Sequence, residues 1–214
     1  MSLEMLERAL PALTELGTVA AVTHAPDRTL HDPGPVPCTK GVSPRDPSVA
    51  YDIDWDLISR SLGTRLPQDY MDLVHRYQGL VIDNWLGVRM PRPAMEPWYV
   101  DGMREHLLEL EDAWMTGDTE GHVPYPRPRG LLPWGGSIDG DTFYWRTHPE
   151  GPEAWTVVVC GACNDWKEVD RDLTGYLAGL VLGEVEPCSG VPADFPGAAP
   201  SISVDSGRVR PPVQ

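Results

Sequence analysis

Cys160 and Cys163 are the residues of this sequence whose type and spacing come closest to known chemistry: a Cys-x-x-Cys pair, with Gly161 and Ala162 between them. A thiol pair at that spacing supplies half of a tetrahedral zinc site, or one redox couple. Zinc requires two further ligands, and the other two cysteines, Cys38 and Cys188, fall in segments that read as irregular. A redox couple is normally activated at a helix N-terminus, which lowers a thiol pKa. Here Asn164-Asp165 follows the pair, so the stretch reads as a strand end and a turn, and packing thiols are the expectation. Asp139 and Asp141 are the second candidate, since paired carboxylates serve acid–base chemistry or ligate a hard cation. The other positions of a calcium loop are absent, and Gly140 between them makes a hairpin turn the simpler account. His24, His31, His75, His106, His122 and His148 show no His-x-x-x-His spacing. No Gly-x-Ser-x-Gly, Walker-type or Gly-x-Gly-x-x-Gly run occurs. No nucleophile, base and orienter assemble, so the sequence predicts a non-enzyme with no metal and no cofactor.

The elements that would position these residues follow from periodicity. Leu131–Trp134, Thr142–Thr147 and Ala154–Cys160 are rich in aromatic and β-branched residues between Gly, Pro and Asp clusters, and predict three strands. Alternation puts Phe143 and Trp145 on one face and Tyr144 on the other. Asp139-Gly140 predicts a tight turn between the first two, with Gly135-Gly136-Ser137 also in a turn. Leu80–Ile82 and Trp85–Met90 predict a hairpin around Asp83-Asn84, and Trp166–Val169 an edge strand.

Four helices are expected around the strands. The first follows a cap at Asp52 or Asp54, carries Trp55, Ile58 and Leu62, and stops at Gly63. The second starts at Pro67 and places Tyr70, Leu73, Val74 and Tyr77 at i, i+3, i+4 and i+7, with Gly79 at C′. The third, Val100–Met115, buries Met103, Leu107, Leu110 and Trp114 and turns Glu105, Glu109, Glu111 and Asp112 to water. The last, Leu173–Leu182, is capped by Asp172 and ended by Gly183. Two helices precede a hairpin instead of alternating with single strands, which favours an α+β fold with a largely antiparallel sheet. Residues 1–50 read as a short helix, Ser2 to Gly17, and a Pro/Gly-rich arm. Residues 184–214 read as a flexible Pro/Gly/Ser-rich tail.

The chain has 214 residues and a formal net charge of -15, with 32 acidic residues against 17 basic ones. That excess argues against binding nucleic acid or an anionic membrane and suits a basic partner. The first residues lack the basic start of a signal peptide, and no apolar run approaches the roughly 20 residues of a membrane span. A cytoplasmic location with reduced thiols is the expectation.

Trp55…Leu62-Gly63…Leu66-Pro67-x-x-Tyr70…Leu73…Tyr77-x-Gly79 resembles the opening signature of the SMI1/KNR4, or SUKH, superfamily. Leu132-Pro133-Trp134-Gly135, Asp139-Gly140-Asp141, Phe143-Tyr144-Trp145 and Trp155-Thr156-Val157-Val158-Val159 are similar to that family's second half, as is a terminal helix carrying Tyr176-Leu177. Gln78 departs from the pattern. The resemblance covers residues 51–183 and implies one α+β domain, a multi-stranded sheet backed by helices. Many of its bacterial members look like immunity proteins that bind and block a toxin domain, often a nuclease or deaminase; others are regulatory scaffolds for an endogenous partner. By that resemblance the expected function is non-enzymatic occlusion of a basic toxin domain, with regulatory binding as the alternative and an enzyme of unknown class as a remote one. The expected contact surface is acidic: Asp139 and Asp141 at the hairpin, with Trp98, Glu109, Glu111 and Asp112. Trp98 and Trp85 both lie near loops, where an exposed aromatic is a favoured interface anchor, and Trp98 enters on that ground.

Overall fold

Asp54 and Asp172 start their helices by the same device, a carboxylate accepting the backbone N–H three residues on. Asp54 takes that of Leu57 (2.7 Å) and Asp172 that of Gly175 (2.8 Å). The computed structural model describes residues 52–77 and 79–185, together with Glu4, Leu6, Phe195 and the pair Ile202–Ser203. The helices are α1 (Trp55–Leu62), α2 (Gln68–Arg76), α3 (Glu96–Thr116) and α4 (Leu173–Val181). The strands are β1 (Leu80–Ile82), β2 (Leu86–Val88), β3 (Leu131–Ser137), β4 (Thr142–Arg146), β5 (Thr156–Cys160), β6 (Trp166–Val169) and β7 (Ile202–Ser203). They form one sheet in the order β6-β5-β4-β3-β2-β1-β7, with every pair antiparallel. The fold is α+β, as the order of elements predicts.

Alternation along the strands sorts the apolar side chains into two layers. Leu132, Trp134, Phe143, Trp145, Val157 and Val159 share one large core with residues from all four helices, including Ile58, Tyr70, Met103 and Tyr176. Tyr144 and Val158 point to the opposite face, where they pack with Leu131 and Leu110. The 21-residue helix α3 therefore belongs to both layers: Tyr99, Val100 and Met103 enter the large core and Leu110 the small one.

Several boundaries differ from the sequence reading for identifiable reasons. β3 continues through Gly135-Gly136-Ser137, which is strand and not turn, and the register shifts between Pro133 and Gly135. The bulge accommodates Pro133, which has no N–H to give a ladder. Gly135 is needed because a Cβ there would lie 2.6 Å from the Gly87 carbonyl oxygen of β2. Between β3 and β4 only Gly140 takes a left-handed φ (99°), while Asp83 and Asn84 both do (53° each) in the β1–β2 turn. α2 ends on an extended Tyr77 (φ -128°) and not on a glycine. α3 starts at Glu96, because Pro97 occupies its first turn instead of preceding it. Residues 154 and 155 lie outside β5, and Pro152–Ala154 forms a single 3-10 turn.

The two ends of the chain also reach the domain. Leu6 is helical and fully buried in the large core. Phe195 packs on Trp85 with ring centroids 4.9 Å apart, and Ile202–Ser203 pairs with Val81–Ile82 at the sheet edge. The expected tail, with little regular structure, thus touches the domain at these positions. The rest of the predicted N-terminal helix, the arm and the tail lie outside the described residues, as does Gln78.

Candidate protein-binding surface

The six residues expected at the contact surface separate into two places and two kinds of role. Asp141 is buried, 3% exposed, and its carboxylate is spent inside the domain. It accepts from the Ser137 hydroxyl and from the Ala162 N–H (3.0 Å), tying the β3–β4 loop to the β5–β6 turn. The expectation that Asp141 presents charge to a partner is corrected: its position one residue past the turn points it inward. Asp139 is exposed, and its Oδ2 accepts from the Trp85 indole N–H (2.7 Å). Trp85 itself is buried, 4% exposed, which removes it as an interface anchor.

The other four residues lie on α3, and they divide again. Glu111 is half-buried in a two-pronged pair with Arg127 (2.5 and 2.6 Å), whose guanidinium also sits over the Trp114 ring at 4.0 Å. That arrangement holds the Glu111 carboxyl below its usual range through the Arg127 hydrogen bonds. Glu111 therefore clamps the loop after α3 and does not offer free charge, a second correction. Trp98, Glu109 and Asp112 are exposed as expected. His106 Nδ1 lies 2.8 Å from Glu109 Oε2.

What the sequence reading missed is the face these residues share with two others. Leu108 and Met115 are 66% and 65% exposed, and Trp98 is 62% exposed. Together with Asp101, Glu105 and Asp112, all exposed, they occupy positions 98, 101, 105, 108, 112 and 115. That 3-4-3-4-3 spacing is the seam of a helix that packs against something. Glu109 lies on its flank by the same periodicity. Glu105 and Asp112 have no side-chain partner among the described residues, and Asp101 makes only an exposed pair with Arg104 (3.3 Å). The last turn of α3 holds no basic residue to offset the negative end of the helix dipole. The seam is an apolar-and-acidic stripe in an electronegative field. The signal was legible: Leu108 and Met115 stand at helical spacing from Trp98, but the acids between them mask the periodicity.

The field continues around the start of α3. Asp52, Asp54, Asp56 and Glu96 line an open cleft with Trp55, Ile53 and Ala94, and no Lys, Arg or His lines it. The Glu96 carboxylate there accepts from the Asp54 N–H (3.1 Å).

The thiols and histidines have ordinary surroundings. Cys160 and Cys163 form no disulfide among the described residues; Cys160 precedes and Cys163 sits within a hairpin turn closed by Gly161 N–H to Asp165 O and Asn164 N–H to Gly161 O (2.8 Å each). His122 lies against the Trp166 ring, 4.7 Å between centroids, with Arg146 Nη2 2.6 Å from its Nδ1. Burial first, and Arg146 second, lower the His122 pKa. Among the described residues no group of three or more His, Cys, Asp or Glu could hold a metal ion, and no helix is long and apolar enough to cross a membrane. His24, His31, Cys38 and Cys188 lie outside the described residues. The chain matches no family model, no curated protein and no solved structure.

Proposed function

We propose that the chain is a cytoplasmic, non-enzymatic binding module of the SUKH type. It lays the outward face of α3 against a basic protein partner, a toxin domain of nuclease or deaminase type, and blocks it by occlusion. The observation that carries the reading is the exposure of Trp98, Leu108 and Met115 on one helical face among carboxylates. Three large apolar side chains left in water at seam spacing cost hydration free energy that a partner recovers. The net charge of -15 supplies long-range attraction for a basic surface. The family resemblance supplies the toxin as the class of partner.

The test is affinity capture of the tagged chain from its own cells at low and moderate salt, beside a Leu108→Glu variant. Recovery of one basic protein near stoichiometry, weakened by salt and lost with the variant, is the expected result. Recovery of the same partner by both proteins would remove α3 from the interface. Recovery of a housekeeping complex would favour the regulatory alternative.

A further inference from the structure

We infer that the element received by α3 is itself an α-helix, carrying basic side chains interleaved with apolar ones at matching positions. The inference rests on the protein-binding reading above and adds to it the shape and register of the partner.

Three features of the seam lead to this. First, the exposed positions from Trp98 to Met115 follow alternating steps of three and four, the spacing with which two helices pack at a shallow angle. The seam is about 26 Å long at 1.5 Å per residue, so a partner helix of about five turns matches it. Second, its order is apolar, acid, acid, apolar, acid, apolar: Trp98, Asp101, Glu105, Leu108, Asp112, Met115. Carboxylates in the middle of a helix–helix seam are desolvated on packing, which is tolerated only if each meets a cation. The matching helix therefore carries Arg or Lys opposite Asp101, Glu105 and Asp112, and aliphatic residues opposite Trp98, Leu108 and Met115. Third, the asymmetry of that order fixes register, since sliding by one turn sets a cation against Leu108 or an apolar residue against Glu105. A second copy of the chain is a poor occupant. It would face Asp101, Glu105, Glu109 and Asp112 with the same four carboxylates, and like charges in contact repel.

The probes are synthetic 21-residue helical peptides whose seam reads Leu-Arg-Arg-Leu-Arg-Leu, in that order and reversed. A control peptide of the same composition carries two central prolines that prevent a helix. Binding to the full chain is measured by calorimetry in low salt, with Leu108→Glu and Ile138→Glu variants alongside. Ile138 is 77% exposed at the β3–β4 loop, away from the seam sequence, and serves as an apolar control.

The expected result has three parts. One of the two helical orders binds at least tenfold more tightly than the proline peptide. Leu108→Glu weakens that binding at least tenfold. Ile138→Glu changes it less than twofold. Equal binding of the helical and proline peptides would overturn the helix inference and leave a basic partner standing. Equal loss from both variants would overturn the placement on α3. No binding by any basic peptide would overturn this inference together with the reading beneath it.

Discussion

Removing the Asp141 side chain separates the carboxylate that builds the domain from those that face outward. Asp141→Ala deletes an acceptor that serves two donors, the Ser137 hydroxyl and the Ala162 N–H. Ser137 also accepts the N–H groups of Asp139 (3.2 Å) and Asp141 (3.0 Å), so its hydroxyl organises the whole loop. An orphaned buried donor costs about 1–3 kcal/mol. Ser137 is half-buried and Ala162 exposed, so both regain some water. The expected loss is thus about 2 kcal/mol in total, near the low end for two donors. For a chain of this size that lowers Tm by about 4–8 °C. Asp112→Ala, at an exposed position without a side-chain partner among the described residues, stays within about 0.5 kcal/mol of the parent. Urea unfolding of both variants, followed by tryptophan fluorescence, reads the difference. Equal stability of Asp141→Ala and Asp112→Ala would refute the argument that Asp141 is committed to the loop.

Three further outcomes follow from other contacts. Gly135→Ala destabilises by about 1–3 kcal/mol, the cost of forcing bulk into packed backbone, because the Gly87 carbonyl cannot give way as a side chain would; thermal unfolding checks it. Asp69 accepts from the Thr174 N–H at the start of α4 (2.9 Å), and burial holds its carboxyl above the ordinary value, with that bond opposing. A raised folded pKa means the group's stabilising contribution is fully present below the unfolded carboxyl pKa and is lost as pH rises through the folded one. Asp69→Asn keeps an acceptor and removes the charge, so its stability relative to the parent grows with pH from the acid range to neutrality, read by unfolding midpoints across that range. Glu111→Gln breaks a partly exposed, solvent-screened pair, so the unfolding midpoint moves less than for Asp141→Ala and partner binding does not change, read by urea unfolding and by capture.

The strands and helices were legible where side chains carry a period. Phe143-Tyr144-Trp145 alternates, and the structure divides it between two apolar layers in that order. Tyr70, Leu73 and Val74 are buried on α2 as their spacing requires. Glycine carries no such signal, which is why β3 reads too short at Trp134 although β4 holds it through Gly136 and β2 through Ser137. Prolines before α3 read as a break, while one of them is inside its first turn. Long-range closure left the least trace: the N-terminal helical spacing puts Leu6 on an apolar side without showing what it packs on, and nothing local marks Phe195 as packing on the core. At the surface, residue type identified exposed acids but not their partners. Asp141 and Glu111 look like Asp112 in the sequence; only the loop at Ala162 and the side chain of Arg127 tell them apart.

Site-specific photocrosslinking in the native cells tests whether the outward face of α3 meets a basic partner. A benzophenone amino acid replaces Trp98, Leu108 or Ile138 in separate full-length chains, and adducts are identified by mass spectrometry. One basic protein is expected to crosslink from positions 98 and 108 and not from 138, with the site on that protein in a basic helix. Adducts from position 138 alone, or the absence of any adduct from α3 while the partner still co-purifies, would contradict it.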